Sequence, residues 1–491
     1  MQIKSIRRRF PVFFVLSALA VAVGLTTGCG SSGSMSHSTG PVLSGNTSVT
    51  LLLSSTANDQ LSQFNIDFNS ITLTSQSGKT VNLFSPAIPP FPEFIHLNGT
   101  GEPLVTVSVP QDVYTAATAT IGGSQFTCVS LDPSGGLDTS TFSILGTQPS
   151  TLMLSSPITI TGTAMGLSLD LQVGQSATFS NCEGGALTTY SITPTFNVSP
   201  VVISSQPTSV ENGKADGIDG QISSVSNGGN SFSLLTTDGT TLPINSSGST
   251  VYQGITDFSA LVAGMAVDMD AAIQTDGSLL ATRVAVQDTD TTTLSITSGP
   301  LLYVAASLPA LTTLGREQQG YLFTGIQLNG GQYYSFGSAV FQTSGQFANL
   351  GNLPFPASFN ASNMLDGQNV YITSHATVVD DGPTYVPAAT VTLMPQTING
   401  TIAAVANNGG FATYTVALAP YDLIPALAVQ QGQTTLLGDP SNVVVYVDSN
   451  TQMLNTKALA AGSVLRFNGL LFNDSGTLRM DCGQVNDGVT E

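Results

Sequence analysis

The sequence predicts an all-β protein: an antiparallel β-sandwich followed by about three small β-barrel repeats. Three observations predict it. Short β-branched runs are punctuated by 50 glycines and 25 prolines, the pattern of strands cut by turns, and helical periodicity is scarce. Apolar residues make up 41% of the chain and charged residues only 8%, so packed cores are available and the low charge does not signal disorder. The second half of the chain repeats itself, each copy carrying a glycine before an alternating strand.

Taken in order, residues 1–28 read as an export signal. Lys4, Arg7, Arg8 and Arg9 precede an apolar run over 10–23 broken only by Pro11 and Ser17, and small residues end it at Gly28. The run is short for a membrane span, which takes about 20 apolar residues. The stretch Leu25-Thr26-Thr27-Gly28-Cys29 resembles the lipobox of bacterial lipoproteins, with Thr26 where that motif usually has leucine. The resemblance implies lipid on the Cys29 thiol and cleavage before it, and two or more acyl chains anchor stably. A plain secretory signal cleaved near Gly28 and an uncleaved anchor are the alternatives. Residues 29–44, rich in Gly and Ser, form a flexible tether. Gly30 stands where Asp retains some lipoproteins at the inner membrane, so the resemblance favours the outer membrane or cell surface.

Residues 45–204 carry the sandwich. Strands are expected over 48–53, 64–68, 71–73, 81–83, 104–109, 116–121, 158–163, 167–173 and 190–198, with a proline-rich loop over 86–92. The segments Val109-Pro110-Gln111-Asp112-Val113-Tyr114, Leu167-Ser168-Leu169-Asp170-Leu171-Gln172-Val173-Gly174-Gln175-Ser176 and Tyr190-Ser191-Ile192-Thr193-Pro194 resemble an uncharacterised β-sandwich domain at the amino end of bacterial envelope lipoproteins. That family implies fold and location but no activity. Cys128 and Cys182 fall within this stretch, and an oxidising envelope favours a disulfide between them, two buried thiols being the alternative. Cys482 is then left over as a small core residue, a reactive thiol being the other reading.

Repeats follow over 213–290, 291–395 and 396–491, the middle copy degenerate. Gly220-Gln221-Ile222 aligns with Gly400-Thr401-Ile402, and Ala260-Leu261-Val262-Ala263-Gly264 with Ala458-Leu459-Ala460-Ala461-Gly462. Gly264, Gly367 and Gly462 are expected to supply positive φ at the turn into a strand. The pattern resembles a tandem small β-barrel family of bacterial envelope proteins, OB-like in strand count and without assigned function. Inserts over 343–359 and 419–440 read as loops, where binding would reside.

Charge excludes one function class. Taking the signal's four basic residues from the chain's 11 leaves seven against 30 acids, a net charge of about −23; a nucleic-acid binder needs a basic face. The catalytic search is mostly negative. His37, His96 and His375 are the only histidines, and His96 reads as a loop residue. Neither a His-Glu-x-x-His nor a Gly-x-Ser-x-Gly motif occurs. Asp216, Asp219, Asp380 and Asp381 are calcium candidates lacking the full loop spacing. Asp268 and Asp270 alternate on one strand and would share a face; their distance permits a glycosidase pair, but nothing in the sequence marks a substrate cleft. No catalytic residue and no cofactor is assigned, and the ligand-binding residues are unknown.

The expected role is therefore non-enzymatic: a lipid-anchored envelope protein with a structural, adhesion or ligand-binding function, its bead-like modules making repeated weak contacts. The partners expected are the membrane, through lipid on Cys29, and a glycan or another envelope protein. The alternatives are a glycan-binding module of a polysaccharide system, using Tyr321, Tyr333, Tyr334 and Phe336, and an unrecognised secreted hydrolase, which would need converging carboxylates of raised pKa.

Overall fold

The computed structural model describes residues 43–491 apart from 57–60, 132–136, 183–187, 227, 294, 306–309, 314–315, 320–333, 347–349, 376–385, 409, 419–422, 426–438, 455–458 and 488–491. The signal, Cys29 and the tether up to residue 42 lie outside the described residues. Among the described residues no helix is long and apolar enough to cross a membrane. The architecture is all-β, a sandwich followed by barrel-like sheets.

The first part is a nine-stranded sheet. Its order runs Thr80–Phe84, Leu61–Ser75, Asp112–Leu131, Leu137–Leu154, Thr195–Val201, Ala164–Leu171, Asn46–Ser55, Glu102–Pro110, with Ile158–Ile160 added beside Asp112–Leu131. Its inward side chains form one core, in which Phe68, Phe94 and Phe196 meet with ring centroids 5.6–6.1 Å apart. Two pairings are parallel: Asn46–Ser55 with Ala164–Leu171, and Thr195–Val201 with Leu137–Leu154. The sandwich is thus mixed where a purely antiparallel one was expected, because the long chain between those strands permits the crossover a parallel pair needs.

The expected strands over 64–68 and 71–73 are one strand, Leu61–Ser75, with register shifts between Ile66 and Phe68 and between Phe68 and Ser70. Phe64, Ile66 and Phe68 point inward, as do Ile71 and Leu73. The alternation therefore changes phase, and bulges absorb the change without ending the strand. Tyr114 is buried and its hydroxyl donates to Pro110 O at 2.9 Å, pinning the corner of the segment that carried the family resemblance. Cys128 and Cys182 are joined in a disulfide inside this core, with Cα atoms 5.8 Å apart, a usual separation for such a bond.

The first repeat comprises Lys214–Ser226, Ser231–Thr236, Thr241–Asn245, Val251–Gln253, Ala266–Ile273 and Leu279–Asp288. It closes through a parallel pairing of Ile244 with Leu279. The last repeat has the same six strands in the same order: Gln396–Asn408, Phe411–Leu418, Asn442–Val447, Gln452–Met453, Val464–Asp474 and Thr477–Asp487. It closes the same way, Val443 on Leu478. A bulge follows Ile222 in one and Ile402 in the other. The middle repeat keeps the strands Ser295–Ala305, Asn369–Ser374 and Val386–Leu393 and closes through Ala310–Thr313 and Tyr334–Ser335.

Gly264, Gly367 and Gly462 have φ of +97°, +85° and +86°, the left-handed region that glycine enters at little cost. Their amides donate to Ile222 O, Leu301 O and Ile402 O at 2.7–2.8 Å, so one turn is built three times. Gly220 and Gly400 answer a different need. A Cβ there would come within 2.3 Å of Leu235 O and 2.6 Å of Ala417 O, so the neighbouring strand packs against bare backbone.

Leu43–Glu491 forms one compact unit, not the bead-like array expected. Leu52 and Val201 of the sandwich sit in the core of the first repeat. Hydrogen bonds join the remaining sheets: Tyr371 Oη donates to Gly220 O, Thr397 Oγ1 to Asn98 O and Gln484 Nε2 to Gly99 O. The insert over 343–359 is also not an exposed binding loop where it is described. Leu353, Phe355 and Phe359 are buried, and the Phe355 ring lies 5.0 Å from Tyr446 and 5.9 Å from Phe472 of the last repeat. Its aromatic residues have more to gain from burial than from water, so they fill the gap between the second and third copies. Of the insert over 419–440, only residues 423–425, 439 and 440 are described.

Candidate functional site

The most concentrated chemistry lies where the sandwich meets the repeats, around His96. The proline-rich approach ends at Glu93, which bridges Asn65 of the long strand Leu61–Ser75. One short 3-10 turn, Ile95–Leu97, then carries His96, and the chain re-enters the sheet at Glu102. Phe94, between Glu93 and this turn, is sunk in the aromatic core, and Ser55 Oγ donates to its carbonyl at 2.6 Å. The segment is held from below by packing and from the side by hydrogen bonds.

Glu93 is 4% exposed. Its carboxylate accepts the amides of Phe64 at 2.8 Å, Ile95 at 2.7 Å and His96 at 3.0 Å, and His96 Nδ1 lies 3.1 Å away. Burial alone would raise its pKa, but the hydrogen bonds and charge from His96 and the backbone donors outweigh that and hold it below the usual glutamate value. The other imidazole nitrogen, Nε2, lies 3.0 Å from Glu102 Oε1. Asp238, in the turn between Ser231–Thr236 and Thr241–Asn245 of the first repeat, accepts the Glu93 amide at 3.4 Å. Glu102 and Asp238 are both buried, and the His96 side chain is 17% exposed.

His96 also lines two cavities. One of about 140 Å³ is shared with Asn369, Gln396, Thr397, Asn399 and Ile424. One of about 40 Å³ is shared with Asp216, Asp219 and Asn468. A wider cleft of about 470 Å³ lies beside Thr100, Lys214, Asp448 and Asp481. Burial and the nearby Asp448 push the Asp481 carboxyl up to about 6.

A second charged group lies on the outer face of the first repeat, opposite its apolar core and beneath Ser344 of the second repeat. Asp268 and Asp270 do share a face of their strand, and Arg283 lies between them. Its Nη2 is 2.7 Å from Asp268 Oδ2, and its Nε is 2.7 Å from Asp270 Oδ2. The Gly217 amide donates to Asp270 Oδ1 at 3.0 Å. All three charged side chains are nearly inaccessible. Burial pushes Asp268 up to about 7; Arg283 pulls the other way, and the charges of Asp270 and Asp219 add to the rise. For Asp270, Arg283 overcomes burial and the pKa is lowered. One guanidinium serves two carboxylates, so one of them retains its proton more readily.

Two further sequence-derived candidates lie beside the Arg283 group and line the smaller cavity. Asp216 and Asp219 lie within the strand Lys214–Ser226: Asp216 pairs with Lys214 at 2.8 Å, and Asp219 accepts Ser298 Oγ at 2.6 Å. Asp380, Asp381, Tyr321 and Tyr333 lie outside the described residues, as does the side chain of Tyr334. Phe336 is buried against Phe341, with ring centroids 6.0 Å apart. His375 Nε2 lies 2.6 Å from Asp288 Oδ2, linking the first and second repeats. Sequence reasoning took His96 for a loop residue. Glu93 three positions before it and Glu102 six after it were local signals, but Asp238 joins them only through the fold.

No protein-family model matches this chain, and no curated protein matches it. The functional reading therefore rests on the chain's own residues.

Proposed function

We propose that the chain is an exported, lipid-anchored envelope protein whose folded body binds a ligand and does not catalyse a reaction. The observation that carries the reading is the placement of Asp268 and Asp270. The carboxylate pair that shares a strand face holds Arg283 between its members on the outer face of the first barrel, nearly inaccessible where Ser344 of the second repeat packs on Asp268. The cavity of about 140 Å³ combines uncharged hydrogen-bonding groups, Asn369, Gln396, Thr397 and Asn399 among them, with apolar Leu61, Ile398 and Leu418, and Glu93 and His96 also line it. Such a lining suits a small ligand that carries both apolar and hydrogen-bonding faces. That same lining favours a second reading, a glycan-binding module.

Cys29, behind a basic start and an apolar run, supports the anchor. Its resemblance to the lipobox supports lipid on its thiol, and the residues after it would tether the compact body to the outer membrane. The test is intact-mass and fractionation analysis of the native protein. Lipid mass on an amino-terminal peptide beginning at Cys29, with recovery in the outer-membrane fraction, is the expected result. A free amino terminus recovered from the medium would sink the anchored reading. Screening the soluble body on a glycan array separates the two ligand readings.

A further inference from the structure

We propose that His96, Glu102 and Asp238 form a site for a divalent transition-metal ion, zinc foremost, with Glu93 orienting the histidine. One ligand atom from each of the three lies within 4.8 Å of the others. One pair, His96 Nε2 and Glu102 Oε1, is 3.0 Å apart. Ligands at zinc bond lengths of about 2.1 Å in a tetrahedron lie about 3.4 Å from one another. The three side chains therefore need only small rotations to close around an ion.

The chemistry of the histidine points the same way. Glu93 is fixed by three backbone amides and faces Nδ1. A carboxylate so fixed accepts a hydrogen bond from Nδ1–H, and a neutral ring with its proton on Nδ1 turns its Nε2 lone pair towards Glu102. A lone pair and a carboxylate oxygen at 3.0 Å repel unless a cation lies between them, either a proton or a metal ion. A buried carboxylate on the far nitrogen of a metal-binding histidine is the usual outer support of such sites. The nitrogen ligand favours zinc and its neighbours over calcium, which takes six to eight oxygens. Two cavities reach His96, giving a fourth ligand or water a route in. Since Asp238 belongs to the first repeat and the other two ligands to the sandwich, the ion would clamp the two together.

The test uses the tag-free chain from Gly30 onward, which contains the whole compact unit. The protein is stripped with a chelator and dialysed against zinc chloride. Bound metal is counted by elemental mass spectrometry and unfolding is followed by circular dichroism. The expected result is one zinc per chain and a raised unfolding midpoint that the chelator reverses. His96→Gln and Asp238→Asn should each abolish the bound ion, Glu93→Gln should weaken it about 10–100-fold, and calcium chloride should produce neither effect. Should Glu102→Gln fail to fold, Asp238→Asn in its hairpin turn reads the same site. Folded wild-type protein that retains no zinc would leave an imidazolium bridge as the whole arrangement and overturn the proposal. One zinc retained equally by wild type, His96→Gln and Asp238→Asn would place the ion elsewhere and overturn it as well.

Discussion

Replacing Arg283 with methionine should expose how much of the first repeat depends on one buried cation. The substitution removes three charge-assisted contacts of 2.7–3.0 Å to Asp268 and Asp270. It leaves two carboxylates that are 0% and 5% exposed without their common partner. Breaking a buried pair from one side costs about 3–5 kcal/mol, and that loss is expected at pH 7.5.

The cost should depend on pH, with a definite sign. In the wild type, burial pushes the folded pKa of Asp268 up to about 7 from the ordinary aspartate value of 3.8. Between these values the folded chain binds the extra proton, so this group's contribution to stability falls as pH rises from about 4 to about 7. Asp270 has a lowered folded pKa, so its contribution is present above pH 3.8 and is lost as pH falls through the folded pKa. In Arg283→Met, both carboxylates move above the unfolded value. The variant's deficit should then grow with pH, by up to about 1.4 kcal/mol per unit for each proton released, and shrink towards pH 4 as both carboxyls take up protons. Urea unfolding followed by far-UV circular dichroism at pH 4.5 and pH 7.5 measures this, since the chain has no tryptophan. A deficit under about 1 kcal/mol at pH 7.5, or one equal at both pH values, would refute the reasoning.

Other outcomes follow from the same structure. Asp268→Asn should fold and flatten the pH dependence of stability between about 4 and about 7, because the amide mimics the protonated carboxyl; an unchanged slope in the urea series would remove Asp268 as its source. The double substitution of Cys128 and Cys182 by alanine opens a loop with a sequence separation of 54. Chain entropy puts the loss at about 4 kcal/mol, read as a lower urea midpoint. Gly462→Ala adds only backbone strain of about 1–2 kcal/mol, since a Cβ there meets nothing within 4 Å. Gly264→Ala should cost about 1–3 kcal/mol more, because its Cβ would lie 2.8 Å from Thr291 O; equal melting temperatures would contradict the close approach. The Cys482 thiol is 4% exposed; burial, together with Asp481 and Asp448, pushes its pKa up. It should resist a thiol reagent in native buffer and react fully in urea.

Much of the fold was legible because its signals are local. The turn glycines Gly264, Gly367 and Gly462 recur at the same place in three copies, and turn chemistry depends on φ at a single residue. Inward-facing runs such as Phe64, Ile66 and Phe68 announced strands by alternation alone. The same local reading erred at Leu61–Ser75, where the phase change between Phe68 and Ile71 looked like the end of a strand. A bulge has no signature in composition; whether a partner strand continues past the change is a matter of pairing with Asp112–Leu131. The insert over 343–359 was misread for a related reason. Phe355 and Phe359 find their neighbours Tyr446, Phe472 and Phe341 on other strands.

By itself, then, the amino-acid order determined the strand-and-turn class, the repeat and the shared face of Asp268 and Asp270, since each follows from residues within a few positions of one another. Only the tertiary structure decided that this face holds Arg283 and is buried beneath the second repeat, that the repeats fuse with the sandwich into one body, and that His96 stands among Glu93, Glu102 and Asp238. Those outcomes depend on which distant strands pair and which side chains the closing sheets press together. Long-range pairing and desolvation act between residues that no spacing along the chain connects.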